Sequence, residues 1–401
     1  MHMPAVKERP TVLLGACGIG LGHAGRMVPV AKKLAEKGWE TIFSTYGDST
    51  DFCLKEGFLT YRETELKYGS KEDGSLSLKE TFKQAPRAFK AFLTQIGTEV
   101  AIMRLHRPDV VISDSRLSTL IAARLLGIPT VLVMHEFKVV LPIDEKKLPG
   151  LKFLKHFVER IALEVFGVGW DLADKVLITD FPPPMTVCKP SVVIPEFLRH
   201  KAVFVGTVCK PKVSLTKTEA RKMLGLENGS TTVYFGLSGL PSERSRLAEK
   251  LFPIAKELSE RGFGVLFSHG EPSKPNTPRK IGSMVVYDWI TDRRLAYTAS
   301  DVFVSVGGQT SIGEAMRYGL PMIIVPTPNH TEHDSIGDAV QSMGLGIKIA
   351  FDKVNMNTFS AALSTILSDH CGSTAQLVAK RVEGYDAVFS ITRAVEGLIF
   401  D

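Results

Sequence analysis

Uninterrupted runs of Val, Ile and Leu, each ending in a turn and followed by a segment of helical spacing, recur along the whole chain. Strands buried on both faces lose the polar alternation of a half-exposed strand, so these runs demand parallel sheets covered by helices. The runs are Val12–Ala16, Thr41–Tyr46, Val110–Ser113, Thr130–Met134, Val176–Ile178 and Ala202–Val205. After a break they resume at Thr232–Phe235, Gly264–Ser268, Met284–Tyr287, Val302–Ser305, Met322–Val325 and Ile347–Ala350. Helices are predicted at Ala24–Lys37, Ser118–Leu126, Ser245–Arg261, Ser311–Tyr318 and Asp334–Met343, with a last helical segment over roughly Thr374–Leu398. A chain of 401 residues exceeds the usual domain of about 150. The pattern therefore predicts an α/β chain of two doubly wound parallel-sheet domains, 1–205 and 206–376, separated inside the Lys-, Pro-, Thr- and Gly-rich stretch 206–230. The C-terminal helix 377–401 is expected to pack back on the first domain.

Composition excludes several classes. With 44% hydrophobic and 23% charged residues, the chain is globular rather than disordered or fibrous. No apolar run reaches the roughly 18 residues of a membrane-spanning helix, and no apolar leader precedes the first strand, so a cytoplasmic protein is expected. The five cysteines are scattered without Cys-x-x-Cys spacing, which supports neither a disulfide framework nor a zinc site. No acidic Asp-x-Asp pair stands in a context suited to a catalytic metal, so no metal or cofactor is expected. A net charge of +6 suits an anionic substrate or an anionic membrane surface and does not indicate nucleic acid.

In open α/β sheets ligands bind beyond the carboxyl ends of the strands. The run 301–305 leads into Val306, Gly307, Gly308, Gln309, Thr310 and Ser311, and then into a helix carrying Glu314. Two glycines let the backbone approach an anion, and unpaired N–H groups at a helix start favour negative charge. Thr310 and Ser311 add hydroxyl donors. Glu314, one turn in, is placed to accept from a diol. The same residues also describe an ordinary Gly-Gly turn with a capped helix.

The stretch 301–346, with Glu332 and His333 after the next strand, resembles the donor-binding domain of GT-B glycosyltransferases. The nearest likenesses are the glucuronosyl/glucosyltransferase superfamily and the bacterial peptidoglycan-precursor N-acetylglucosaminyltransferase. The resemblance implies that Gly307, Gly308, Gln309, Thr310 and Ser311 hold a donor diphosphate, Glu314 the ribose, and Glu332 with His333 the sugar hydroxyls. It implies stacking of the base on Trp289, with the Ile290 backbone at its edge, in a segment similar to the family's Trp-x-Pro-Gln region. Ser238, in the turn Gly236–Gly239, becomes a second phosphate-side donor. The chain departs from the family at Val306, where His or Arg usually contacts phosphate, at His333 and Ile336, where Gln and Asn are common, and at Asp292, which replaces Gln.

In the first half, Val12–Ala16 runs into Gly18, Gly20, Gly22, His23, Gly25 and Arg26. A dinucleotide fingerprint fits Gly20, Gly22 and Gly25, but its acidic partner at the end of the second strand is missing, and it leaves His23 and Arg26 without a role. The motif resembles the glycine loop with adjacent His of the same glycosyltransferases. Direct transfer to an acceptor hydroxyl needs a base working near neutrality, the range of histidine, and a carboxylate to orient it. His23 and Asp114 are the expected pair; their alternatives are a helix cap and an N-cap. Arg26 is expected to supply the charge that Val306 lacks, and His135 with Glu136 to lie beside the acceptor.

Segments 60–107 and 138–172 resemble the family least. One spaces Phe82, Phe89, Leu93, Ile96, Val100 and Met103 helically among Lys79, Lys83, Arg87, Lys90 and Arg104. The other spaces Leu154, Phe157, Val158, Ile161 and Val165 among Lys146, Lys147, Lys152, Lys155 and Arg160. Such stripes either face a core or lie in an anionic membrane interface. The resemblance thus implies GT-B architecture, two facing Rossmann-like domains, and an inverting, metal-independent hexosyltransferase using a nucleoside diphosphate sugar, UDP-sugar favoured. The acceptor hydroxyl would be lipid-linked or on a glycan, with peripheral contact at the inner face of a membrane in the lipid case. The rival readings are a UDP-N-acetylglucosamine 2-epimerase-like or hydrolytic sugar-nucleotide enzyme and a non-catalytic sugar-nucleotide-binding subunit of a membrane complex.

Overall fold

The computed structural model describes residues 9–18, 21–66, 78–138, 140–141, 150, 152–227, 229–271, 274–328, 330–368 and 370–400, without the side chains of 78–85. The first sheet comprises β1 (Thr11–Ala16), β2 (Glu40–Thr45), β3 (Leu59–Arg62), β4 (Val110–Asp114), β5 (Thr130–Met134), β6 (Lys175–Ile178) and β7 (Ala202–Phe204). Its spatial order is β3-β2-β1-β4-β5-β6-β7. Every pairing is parallel. Helices α1 (Gly22–Glu36), α2 (Asp48–Lys55), α3 (Leu78–His106), α4 (Leu117–Leu126) and α5 (Lys152–Trp170) belong to this half. The second sheet comprises β8 (Thr232–Gly236), β9 (Gly264–Ser268), β10 (Arg279–Ile281), β11 (Met284–Tyr287), β12 (Val302–Ser305), β13 (Met322–Ile324) and β14 (Gly346–Lys348), ordered β10-β11-β9-β8-β12-β13-β14. Around it lie α6 (Lys217–Met223), α7 (Pro241–Glu260), α8 (Arg293–Ala299), α9 (Gln309–Tyr318), α10 (Thr331–Ser342), α11 (Met356–Ser368), α12 (Cys371–Val382) and α13 (Ala387–Glu396).

All the expected strands are present. Two were missed: β3 and β10, short edge strands whose residues stay largely exposed and carry no apolar run. In both sheets the chain winds outward from a central strand and then returns to that strand's other side, which creates a switch point between β1 and β4 and another between β8 and β12. Parallel register brings Ala16 beside Asp114 in the first sheet and Phe235 beside Val304 in the second. The turns leaving each pair of strands are therefore neighbours.

The expected last helix is two. Asp386 accepts from the Phe389 N–H and starts α13, and the Arg317 guanidinium holds the Tyr385 carbonyl at the break. α12 packs on α9 and α13 on α1, with Ala387, Ile391 and Val395 buried in one cluster with Val12, Leu14 and Met27. Conversely, Phe181, Val187 and Cys188 sit in the core of the second half with Tyr234 and Phe303. The halves thus exchange segments.

Candidate active site

At the first switch point the residues before α1 are sterically fixed. A Cβ on Gly18 would lie 2.1 Å from the Tyr46 carbonyl oxygen, whereas one on Gly22 would meet nothing within 4 Å. Gly20 lies outside the described residues. His23 and Arg26 are three apart on α1, so both side chains leave the same face and reach Asp114 at the end of β4. His23 Nδ1 stands 3.0 Å from Asp114 Oδ1, and Arg26 Nε donates to Oδ2 at 2.7 Å. Arg26 Nη2 also donates to Oδ1. Ser115 takes a positive φ of 55°, uncommon for a residue with a Cβ and typical of functional turns. That turn sends Asp114 toward His23 while Arg116 goes to a separate buried acid, Glu99, at 2.9 Å.

Burial alone would raise the Asp114 carboxyl, but the Arg26 guanidinium and His23 override it and hold the group well below the usual carboxylate range. Asp114 is thus an anion. His23 Nδ1 faces both Asp114 Oδ1 and, at 2.9 Å, Arg26 Nη2; in the tautomer that donates Nδ1–H to the carboxylate, the Nε2 lone pair is free to take a proton. Arg26, the expected diphosphate cation, is instead engaged by Asp114: it is 3% exposed and its guanidinium pairs with that carboxylate. Its Nη1 also donates to His135 Nδ1 at 2.8 Å. A guanidinium can only donate, so His135 holds its own hydrogen on Nε2. Burial, followed by the Arg26 charge, pushes His135 down to about 3, and the ring stays neutral.

At the second switch point Gly307 adopts a φ of 96°, and a Cβ there would approach the His333 carbonyl oxygen to 2.9 Å. Gly308 caps α9 with no side-chain bond to the helix's first N–H groups. Ser238 comes in from the turn after β8, its Oγ 3.6 Å from where a Cβ on Gly308 would stand. Val306 is fully buried in the apolar core beneath the loop. Ser311 and Glu314 share one partner, Arg293, whose Nη1 donates to Ser311 Oγ at 3.2 Å and whose Nη2 lies 2.9 Å from Glu314 Oε2. Tyr297 donates to the same Glu314 oxygen at 3.0 Å. The Thr310 hydroxyl donates to Gln309 Oε1 at 3.5 Å.

Two expected donor contacts are altered by packing. The Gln309 side chain is buried and donates to the Thr179 carbonyl of the first half, so it ties the halves together rather than facing the loop. His333 is buried, stacked on His330 with ring centroids 3.6 Å apart, its Nδ1 3.2 Å from the Thr327 hydroxyl. Of the pair 332–333, Glu332 is the one whose carboxylate crosses the cleft, reaching His135 Nε2 at 3.4 Å. Ile290 is core, and Trp289 remains half-buried.

Glu136, exposed beside the buried His135, lies within electrostatic reach of Glu332. Desolvation first, and then the Glu332 carboxylate, raise the Glu136 carboxyl. Glu332 is raised by its own desolvation, against the pull of His330, His23 and Arg26. Among the described residues His135, Cys188 and Glu332 offer ligand atoms within 4.8 Å of one another. Metal ligation needs the lone pair of His135 Nε2, and the Arg26 bond to Nδ1 puts a hydrogen there. The donor set does not fit a metal as it stands.

Sequence reasoning missed Arg293 and Tyr297. Both lie in α8, on the helix preceding the strand that feeds the glycine loop, and nothing local marks them. It also missed Ser115, whose strain is invisible without φ. Helix α5 contradicts the core reading of its stripe: Leu154, Phe157, Val158, Ile161 and Val165 are all exposed, and Phe153 is 81% exposed. The face turned inward instead buries Glu159, 2.9 Å from Lys138. In α3, Phe89 and Leu93 are exposed and Met103 is buried; the Lys79, Phe82 and Lys83 side chains, like Lys146 and Lys147, lie outside the described residues.

Residues 185–377 match the profile of the family described as UDP-glucoronosyl and UDP-glucosyl transferase. An uncharacterized glycosyltransferase of Methanosarcina acetivorans is 26% identical over 346 residues, covering 85% of this chain and 84% of its own. The UDP-N-acetylglucosamine–N-acetylmuramyl-(pentapeptide) pyrophosphoryl-undecaprenol N-acetylglucosamine transferase of Acetivibrio thermocellus is 24% identical over 299 residues, covering 70% of each chain. Among solved structures, a Streptomyces glycosyltransferase complexed with thymidine diphosphate superposes with a TM-score of 0.63 at 14% identity, over 97% of this chain and 100% of that one. No helix among the described residues is long and apolar enough to cross a membrane.

Proposed function

For a chain that is a GT-B-fold glycosyltransferase, resembling the glucuronosyl/glucosyltransferase superfamily and the peptidoglycan-precursor N-acetylglucosaminyltransferase, we propose inverting, metal-independent transfer of a hexosyl group from a nucleoside diphosphate sugar to an acceptor hydroxyl. The observation that carries this is the His23–Asp114 contact of 3.0 Å at the first switch point, opposite Glu332 of the second half. His23 Nε2 takes the acceptor proton as the new bond to the anomeric carbon forms and the bond to the diphosphate breaks. Asp114 fixes the tautomer and stabilises the imidazolium that results. The leaving diphosphate is received by the backbone N–H groups of the Gly307–Ser311 turn, and Glu332 accepts from sugar hydroxyls. UDP-sugars are favoured as donors by the family match and by the donor named for the Acetivibrio relative.

Thermal-shift screening against UDP-, GDP- and dTDP-sugars identifies the donor by mass action; no shift with any of them would overturn the donor site. Once a donor is found, the anomeric configuration of the product tests inversion, and unchanged turnover in EDTA tests metal independence. Donor consumption that needs no acceptor would favour the epimerase-like or hydrolytic reading. The outward apolar face of α5, flanked by Lys152 and Arg160, supports a lipid-linked acceptor taken at an anionic membrane surface. Sedimentation with anionic but not neutral liposomes is the expected result, and Phe153→Ser with Phe157→Ser should abolish it.

A further inference from the structure

The donor reading leaves one electrostatic question open inside this chain. A diphosphate brings concentrated negative charge to the Gly307–Ser311 turn, yet Val306 is buried and apolar. Arg26, the cation expected to compensate, is neutralised by Asp114. Backbone N–H groups alone would carry the load.

Among the described residues, Arg293 is a charged side chain that touches the turn. Its Nη1 lies 3.2 Å from the hydroxyl of Ser311, in the first turn of α9. A cation there stands at the positive end of the helix dipole, which disfavours it. Glu314 offsets that cost at 2.9 Å, and Tyr297 fixes the same carboxylate oxygen. Burial works against the Arg293 charge, but Glu314 outweighs it and raises the guanidinium further. A guanidinium has five N–H donors; these contacts engage two of its nitrogens, and the side chain keeps 35% of its surface exposed. An ion pair serving stability alone would gain by lying away from the helix start. This one lies against Ser311, in the first turn of α9, with part of its guanidinium still exposed.

We propose that Arg293 is the cation that neutralises the donor's diphosphate at the Gly307–Ser311 turn, and that its pairing with Glu314 couples phosphate recognition to recognition of the adjoining sugar hydroxyls. The proposal rests on the donor reading given above and adds to it a residue on α8. Arg293 would bind phosphate as a planar fork, so lysine replaces it only in part.

Calorimetric titration of the full chain with UDP and with uridine decides the matter. In Arg293→Gln the affinity for UDP should fall about 10- to 100-fold, the scale of a charged hydrogen bond, while uridine affinity changes less than about 3-fold on that same scale. Arg293→Lys should recover part of the loss, and the slope of UDP affinity against salt should flatten in Arg293→Gln but not in Arg293→Lys. Equal losses for UDP and uridine would show that Arg293 only sets Glu314, and no loss for either would show no role; both overturn the proposal. Wild-type protein that binds neither UDP, GDP nor dTDP would instead overturn the donor reading itself. If Arg293→Gln does not fold, the wild type against Arg293→Lys gives the same comparison: a greater loss for UDP than for uridine is required.

Discussion

The two switch points are built from one backbone plan and do opposite kinds of work. Each places a central strand beside its returning neighbour, β1 beside β4 and β8 beside β12, so that two turns meet over a helix start. In the first half the meeting turns are filled with ionisable side chains: His23, Arg26 and Asp114 lie within 3.0 Å contacts of one another. In the second half they are filled with glycine and hydroxyls, and the charged groups stand to one side as Arg293 and Glu314. The lesson is that the fold supplies proximity and a helix start at both places, whereas the residues in the turn decide whether the place is lined by ionisable side chains or by glycine and hydroxyls.

The comparison breaks most easily at His23. His23→Ala should lower kcat by about 10²- to 10⁴-fold, the usual contribution of general base catalysis, with nucleotide affinity by calorimetry unchanged. A loss of nucleotide affinity instead would mean the first switch point also binds the donor. The next largest effect is on stability. Arg26→Ala leaves the buried Asp114 carboxylate without its guanidinium, with only His23 and Ser115 beside it, and denaturant unfolding should show a loss of up to about 3–5 kcal/mol; a loss near zero would mean the cluster is held from elsewhere.

Glycine substitutions sharpen the contrast. Gly307→Ala forces a Cβ into a left-handed turn against the His333 carbonyl, and should cost about 1–3 kcal/mol together with nucleotide affinity. Gly22→Ala meets open space and, at the start of α1, should be neutral or stabilising by up to about 1 kcal/mol. If both are tolerated, the second turn is less constrained than its geometry indicates.

A pH slope is predicted beneath the first switch point. Burial first, and then the Glu99 carboxylate, push Glu63 up to about 7. The folded chain therefore holds that proton more tightly than the unfolded chain from about pH 4.5 to 7, and stability declines as pH rises through that window. Glu63→Gln should flatten the slope measured by denaturant unfolding across this range; an unchanged slope would assign it to other groups.

Much of this was legible from residues alone because the signals are local. A strand buried on both faces needs an apolar run, so each central strand announced itself; the edge strands β3 and β10, which bury little, did not. Glycine loops at strand ends marked both switch points, and the loss of charge at Val306 was visible as a gap. The side-chain partners of those loops were not visible. Arg26 could be assigned to phosphate or to a carboxylate, and only the register of β1 with β4 gives it to Asp114. The helical spacing of Leu154, Phe157 and Ile161 was equally consistent with burial or exposure, and only the packing of α5 turned that face outward.

By itself, then, the sequence determined which segments are buried strands, where their glycine turns fall and which ionisable residues those turns carry. These follow from burial and backbone sterics, which act over a few neighbouring residues. The tertiary structure alone decided that Asp114 is an anion shared by His23 and Arg26, that His135 keeps its hydrogen on Nε2, and that Arg293 contacts both Ser311 and Glu314 at the second turn. Charge, tautomer and pairing depend on distances between residues far apart in the chain, and only the folded packing of the two halves sets those distances.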